Sequence, residues 1–438
     1  MSNIRLSNSL TRQVEAFAPY DPKHIKLYVC GPTVYARPHI GNARSVVVYD
    51  VLYRLLRHDF PKVTYVRNIT DVDDKINAAA VERAITIQAL TQEITSQFHE
   101  DMAALGCLRP TVEPKATEHI AQMIQMIESL IARGHAYEAQ GHVLFAVQTN
   151  PHYGSLSRRS TDDMVAGARV EVAPYKKYAG DFVLWKPASE KDDPSSKFDS
   201  PWGVGRPGWH IECSAMSHTH LGADFDIHGG GADLMFPHHE NEIAQSTCAH
   251  PESHYAKYWV HNGFLTVEGE KMSKSLGNFI TVHDLLSKGV KGEVIRFALM
   301  STRYNEPLDW SEKLLSDAQK VMDRLYRVDA PAGGQINSGV LDALRDDVNT
   351  PKALALLQTL DGAELKATAN MLGLLQQTAQ QWFQGEGEDT LWIEVQIDAR
   401  NAAKKARDFA TSDAIRDMLK EKGIILEDSA TGTTWRRA

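Results

Sequence analysis

Lys26-Leu-Tyr-Val-Cys30, closed by Gly31-Pro32, decides the fold. Five mainly apolar residues ended by a glycine–proline pair read as a short buried strand. From Gly41 to about His58, Val46, Val47, Val48, Val51, Leu52, Leu55 and Leu56 recur at helical spacing and form a broad apolar face. Val63-Thr-Tyr-Val-Arg-Asn-Ile69 then reads as a second strand. Strand, glycine turn, helix and strand make a βαβ unit, and a βαβ unit implies a parallel sheet. Cys30 and His39 therefore fall just beyond the carboxyl end of the first strand, where open α/β sheets bind ligands.

Working outward, about Asp74 to Gly134 carries helical spacing. About Ala136 to Trp202 is richer in strand-like aromatic pieces, His142-Val-Leu-Phe-Ala-Val147 and Asp181-Phe-Val-Leu-Trp185, with a polar loop from Ser189 to Ser200. This stretch reads as an inserted α+β subdomain. Sheet-like sequence returns at Phe225-Asp-Ile227, and a helix is expected near Pro237, with proline in its first turn. Val282 to Met300, Ser311 to Arg327 and Leu341 to about Phe383 are amphipathic. Gly385-Glu-Gly-Glu-Asp389 reads as a linker, followed by helical sequence to Lys422 and a small hairpin from Ile424-Ile-Leu426 and Thr433-Thr-Trp435.

A chain of 438 residues is too long for one core. No apolar run reaches the roughly 18 residues of a membrane span. The opening Met1-Ser-Asn-Ile-Arg-Leu6 has no signal-peptide core, so a cytoplasmic protein is expected. Net charge is −9, yet from Leu391 onward nine Lys/Arg stand against eight Asp/Glu, so the tail is the least acidic part. The field at one face, not the sum, decides capture of nucleic acid. Four widely spaced cysteines, Cys30, Cys107, Cys213 and Cys248, argue against a disulfide framework.

Two short stretches could handle phosphate. Lys271-Met-Ser-Lys-Ser275 puts two lysines three residues apart amid Gly263, Gly269 and Gly277. Such a segment can move and bring two ammonium charges onto a polyphosphate. Pro38-His39-Ile40-Gly41-Asn42 offers imidazole and amide donors with backbone N–H groups beside them. Taken singly, each also reads as a solvated surface. A third constellation is metal-like. His238 and Glu242 are four apart and share one helix face. With Cys30 and Cys213 they supply two thiolates, an imidazole and a carboxylate, an acceptable zinc set. Spacing alone leaves open that the histidines cap a helix and that Glu242 faces solvent.

Together and in this order, the two phosphate stretches resemble the paired signature of class I aminoacyl-tRNA synthetases. Cys30-Gly-Pro-Thr-Val-Tyr35, Asn68-Ile-Thr-Asp-Val-Asp-Asp-Lys75, Gly208-Trp-His-Ile-Glu-Cys213, His228-Gly-Gly-Gly231, Pro237-His-His-Glu-Asn-Glu242 and Lys271-Met-Ser-Lys-Ser275 resemble the cysteinyl-tRNA synthetase family, in the same order, from Lys26 to Arg437. The resemblance implies an α/β protein. A Rossmann-like parallel-sheet catalytic domain (1–125 and 205–265) would carry an inserted connective subdomain (126–204). A KMSKS loop and stem-contact region (266–320), a helical bundle (321–385) and a small C-terminal anticodon-binding domain (386–438) would follow.

It further implies a monomer that uses ATP with Mg2+ to activate L-cysteine and charge tRNA(Cys), with no membrane partner. By resemblance, His39, Asn42, Lys271 and Lys274 would act on the phosphates, with Gly41 letting the backbone approach. His228, Gly229, Gly230, Gly231 and Asp233 would receive adenosine, and Thr70 and Trp209 would line the amino-acid pocket. Cys30, Cys213, His238 and Glu242 would hold one zinc per chain. Trp435 would stack on an anticodon base, with Arg436 and Arg437 at phosphates or base edges. Zinc suits a choice of cysteine over serine. A pocket of fixed shape separates near-isosteres by roughly 10–200-fold, whereas a soft thiolate is a far stronger ligand than a hydroxyl. The family signature ends in His where this chain has Asn42, which donates a hydrogen bond but carries no charge. Other expectations for the same residues are a cysteine-activating ligase acting on an amino sugar, and a non-catalytic zinc- or tRNA-binding paralogue.

Overall fold

The computed structural model describes residues 3–158, 173–189, 192–273, 276–385, 390–429 and 432–437. The expected linker from Gly385 to Asp389 lies outside the described residues beyond Gly385.

The central sheet has four parallel strands in the spatial order Tyr255–Asn262, Asp224–Gly231, Ile25–Val29 and Val63–Arg67. The chain enters at Ile25–Val29, steps to Val63–Arg67, and later fills the other side. Strand order therefore reverses between Ile25–Val29 and Asp224–Gly231, and the carboxyl ends of these two strands bound a switch-point crevice. The crossover helix is Ile40–Asp59. It begins where His39 and Asn42 form a capping box and ends at Phe60, just before Pro61, which bars helical backbone at the residue preceding it. Thirteen of its residues are buried, so it packs as an inner helix.

The insertion carries a four-stranded antiparallel meander: Ala136–Ala139, His142–Phe145, Phe182–Pro187 and Gly205–Pro207. Its last strand lies just past residue 204 and consists of Gly, Arg and Pro, which have no strand pattern to read. Beyond the central sheet, Leu265–Val267 pairs with Glu270–Lys271 and with Leu308–Trp310. Helices Glu312–Tyr326, Ser338–Arg345, Thr350–Leu357, Gly362–Met371 and Ala379–Gln384 make the bundle.

The last unit has helices Thr390–Lys405 and Phe409–Glu421 and the hairpin Ile424–Ser429/Gly432–Arg437. It encloses a core of its own from Ile393, Ile397, Leu419, Ile424 and Trp435. Among the described residues, no helix is long and apolar enough to cross a membrane.

Candidate active site and metal centre

Cys30 continues the first strand, and its N–H donates to the Gly229 carbonyl at 3.1 Å. The next residue must be glycine. A Cβ at Gly31 would lie 1.6 Å from the Asn68 carbonyl oxygen. Cys213 comes from helix Trp209–Leu221. The turn Met235–His239 delivers His238, and helix Glu240–Ala249 delivers Glu242. The expected helix near Pro237 thus begins at Glu240, after that turn. It still leaves His238 and Glu242 facing each other, with Nε2 and Oε1 3.1 Å apart.

The four side chains converge. Cys30 Sγ lies 3.7 Å from Cys213 Sγ and 3.5 Å from Glu242 Oε1, and all four ligand atoms fall within 4.8 Å of one another. With Zn–S near about 2.3 Å and Zn–N or Zn–O near about 2.1 Å, a tetrahedral site needs S···S of about 3.8 Å, S···O of about 3.6 Å and N···O of about 3.4 Å. The observed distances fit a zinc-sized ion within a few tenths of an ångström.

The surrounding layer orients each ligand. Glu242 Oε2 accepts from His228 Nε2 at 2.8 Å and from the Tyr255 hydroxyl at 2.9 Å, which turns Oε1 toward the thiols. His238 Nδ1 sits 2.9 Å from His210 Nδ1. Burial, then the neighbouring His238, pushes His210 down to about 3, so His210 is neutral and can accept from His238 Nδ1. Burial works against a charged His238, yet Glu242 and Cys213 raise its pKa, so its Nε2 becomes a ligand once a metal displaces its proton. Burial opposes charge on Glu242, but His228 and His238 outweigh it and hold the carboxyl below its usual range. The thiols are coupled: burial drives Cys30 up, while the hydrogen bond from Cys30 brings Cys213 down. A second set shares two of these ligands: Cys30, His228, His239 and Glu242. In it, His228 is already committed to Glu242 Oε2. His239 Nδ1 is bound to His261 Nε2 at 2.7 Å, with Ser9 Oγ behind at 2.8 Å.

Of the two pocket residues expected by resemblance, Trp209 is 39% exposed and stacks on His238, with ring centroids 4.2 Å apart. Thr70 is buried in the floor. Its hydroxyl accepts from Asn68 Nδ2 at 3.1 Å and donates to Glu212 Oε2 at 3.2 Å, while Asn68 Oδ1 reaches Cys213 Sγ at 3.8 Å. Burial first, then Cys213 and Asp73, drives the Glu212 carboxyl up. Asn68, His210 and Glu212 stand inside motifs that carry the resemblance but had no role assigned from sequence, and Tyr255 stands in none of them. They act through other side chains, and no spacing rule connects them.

The two phosphate stretches also meet. Ile40 N–H donates to the Ile280 carbonyl at 3.0 Å, His39 pairs with Thr281, and the His39 ring packs edge-on to Phe279 at 5.4 Å. A Cβ on Gly41 would lie 2.9 Å from His39 and 3.7 Å from the Met272 methyl, so this glycine keeps the approach open. Asn42 is exposed, and its Oδ1 accepts from His39 N–H at 3.2 Å. Burial lowers the His39 pKa against an opposing pull from Asp233, which is exposed at the crevice. Lys271 is exposed at the end of its strand. Lys274 lies outside the described residues.

Two expectations need correction. His228 is 0% exposed and stacks on Trp259 at 4.4 Å, so it cannot receive adenosine; it positions Glu242 instead. Beside it, Gly229 and Gly230 are buried, and their lack of a Cβ is accounted for by packing. A Cβ would lie 2.4 Å from Tyr49 at the first and 2.7 Å from His239 at the second. Gly231 is half-buried at the strand end. Trp435 is the second correction. It is 3% exposed, and its indole N–H donates to Glu394 at 2.7 Å, so it is core and no base can stack on it. Trp435→Ala is expected to destabilise this unit by about 3–5 kcal/mol, read by thermal unfolding; an unchanged melt would contradict its burial. Arg436 pairs with Glu427 at 3.0 Å, and Arg437 donates to the Gln384 carbonyl at 2.8 Å. The exposed aromatics of this unit are Trp392 (38%) and Phe409 (64%).

A sequence profile described as tRNA synthetases class I (C) catalytic domain matches residues 16–320. The cysteine–tRNA ligase of Rhodospirillum rubrum is 56% identical, over 99% of this chain and 100% of its own. That of Paramagnetospirillum magneticum is 57% identical over 99% of each chain, and that of Xanthomonas campestris is 54% identical over 100% and 99%. Among solved structures, Mycobacterium tuberculosis methionyl-tRNA synthetase with methionyl-adenylate shares the fold. Its TM-score is 0.55 at 14% identity, covering 80% of this chain and 89% of that one.

Proposed function

This chain belongs to the cysteine–tRNA ligase family of class I tRNA synthetases, and on that premise we propose that Cys30, Cys213, His238 and Glu242 hold a zinc ion while His39, Asn42, Lys271 and Lys274 handle the phosphates of ATP with Mg2+. The enzyme joins L-cysteine to tRNA(Cys) in two steps. The cysteine carboxylate attacks the α-phosphate and releases pyrophosphate. A ribose hydroxyl of the terminal tRNA adenosine then attacks the mixed anhydride and releases AMP. The observation that carries the metal assignment is the convergence of four ligand atoms, drawn from three separate segments, at the carboxyl end of the sheet.

When bound, zinc supplies a soft Lewis acid that takes a thiolate and rejects a hydroxyl. The rest is the work of side chains. His228 and Tyr255 keep Glu242 Oε1 turned inward, and His210 fixes the ring of His238. Trp209, half-exposed over His238, closes one side of the amino-acid pocket, and Thr70 braces its floor. Phosphoryl transfer of this kind needs alignment and charge neutralisation rather than a covalent nucleophile. His39 and Asn42 offer donors at a helix N-terminus, where the dipole favours anions. Asn42 is neutral at every pH, so cationic charge on the phosphates falls to Lys271 and Lys274. Gly231, half-buried at the strand end, and Asp233, exposed beside it, receive the adenosine. Contacts to tRNA draw on the 386–438 unit, with Arg436, Arg437 and the exposed Trp392 and Phe409 as its available groups. The enzyme works as a monomer in the cytoplasm.

Cysteine-dependent ATP–pyrophosphate exchange, with serine as control, tests the reading. Discrimination well above the roughly 200-fold that shape supplies, with one zinc per chain by metal analysis, is expected. Serine accepted within that range, or protein free of zinc, would sink the selector role. Lys271→Ala is expected to lower exchange by about 10²–10³-fold, the scale of one lost transition-state charge contact.

A further inference from the structure

Arg44 is buried to 0% exposure in helix Ile40–Asp59, and among the described residues no carboxylate pairs with it. A buried cation without a counter-charge is costly unless its donors are used. Here four backbone carbonyls take the N–H groups of both Nη atoms, and Nε alone is left without a partner among the described residues. Nη1 donates to Gly263 at 2.9 Å and Phe264 at 2.7 Å; Nη2 donates to Arg303 at 3.2 Å and Glu306 at 2.7 Å. These carbonyls sit at the roots of the small sheet. Gly263-Phe264 leads into Leu265–Val267, which pairs with Glu270–Lys271, and Arg303 to Glu306 leads into Leu308–Trp310. The two roots are also joined by Gly263 N–H to the Tyr304 carbonyl at 2.7 Å.

The other side of Lys271 is tied to the same helix. Ile40 N–H donates to the Ile280 carbonyl at 3.0 Å, and Val282 N–H to the Pro38 carbonyl at 3.4 Å. Ile40 and Arg44 are four residues apart, hence on one helix face. Both ends of the lysine segment therefore stand on the first turns of the helix that begins at His39.

We propose that Arg44 is a positioning residue for ATP activation: its guanidinium clamps the root of the Lys271 segment to the helix that carries His39 and Asn42, and so holds the lysine segment at a fixed distance from the phosphate donors. The proposal rests on the assignment of His39, Asn42 and Lys271 to the ATP phosphates. The four N–H groups on the two Nη atoms of a planar fork are what the four carbonyls require. A lysine ammonium has three donors on a flexible stem and cannot meet them all.

Arg44→Lys, assayed as the full chain, is expected to lower kcat of cysteine-dependent pyrophosphate exchange by about 10²-fold, the cost of misplacing a catalytic group by about an ångström. The KM for cysteine and the zinc content should stay unchanged, because the metal centre lies outside the clamp. Trypsin cleavage after Lys271 should quicken, and ATP should no longer protect it. Wild-type kcat in folded Arg44→Lys, or a loss that follows only the unfolded fraction, would overturn the proposal.

Should Arg44→Lys fail to fold, Gly263→Ala tests the clamp from the receiving side. Its Cβ would lie 2.3 Å from the Glu306 carbonyl oxygen and would push the two roots apart, so the same kcat loss is expected and normal kcat would refute the clamp. The wild-type enzyme gives a third test by hydrogen exchange. The amides of Gly263, Glu306 and Ile40 should exchange as slowly as those of the helix interior, with or without ATP; exchange as fast as that of exposed loops would also refute it. Lys271→Ala separates the two readings. If it leaves exchange intact, the phosphate assignment fails; if it abolishes exchange while Arg44→Lys does not, only the clamp fails.

Discussion

Cys213→Ser enzyme is expected to lose cysteine-dependent pyrophosphate exchange by about 10³-fold, about 4 kcal/mol of transition-state stabilisation, while its affinity for ATP changes little. Loss of an outer-layer partner costs a metal site about 10–100-fold, and a direct ligand should exceed that. The Cys213 sulfur stands 3.7 Å from that of Cys30, and its serine replacement offers a hard, protonated oxygen in place of a soft thiolate. Glu242 and His238 would remain buried around an incomplete site. Zinc content by metal analysis and ATP binding by calorimetry check the result. Equal loss of ATP binding and cysteine activation would mean that the metal is structural.

Removal of residues 386–438 is expected to abolish charging of tRNA(Cys) and to leave pyrophosphate exchange near normal. The unit has its own core, and among the described residues its polar ties to the bundle include Arg437 to the Gln384 carbonyl at 2.8 Å and Arg327 to Glu427 at 3.3 Å. Two stacked anticodon bases amount to about 2–6 kcal/mol, so charging at limiting tRNA should fall by at least about 30-fold. Charging by the shortened chain at the full rate would refute the tRNA role of this unit; loss of exchange as well would mean that it supports the catalytic fold.

The βαβ half of the central sheet was legible because its signal is local, whereas the edge strand Tyr255–Asn262 was not read from sequence. Apolar runs at Lys26 to Cys30 and Val63 to Ile69, with a helical period between, allow one topology. Convergence of Cys30, Cys213, His238 and Glu242 was legible only through resemblance, since the two cysteines are 183 residues apart and no periodicity links them. The misread residues share one cause. Trp435 precedes two arginines, and His228 precedes three glycines, so each was grouped with neighbours along the chain. In a strand, successive side chains face opposite sides. Trp435 turns into the core while Arg436 turns out. His228 lies under the sheet's end, packed on Trp259. Tyr255 and His261 come from other segments altogether and carry no pattern, and His210, three residues before Cys213, acts only through His238.

Two of the four proposed zinc ligands are cysteines, and that makes the enzyme a client of its own product. Every copy is translated with cysteinyl-tRNA that earlier copies made. If those copies let serine through, some new chains would carry serine at position 30 or 213, and such chains would discriminate worse still. Accuracy here is inherited from one generation of molecules to the next, so a lapse feeds on itself. Starvation for zinc is the condition under which that loop would start to turn.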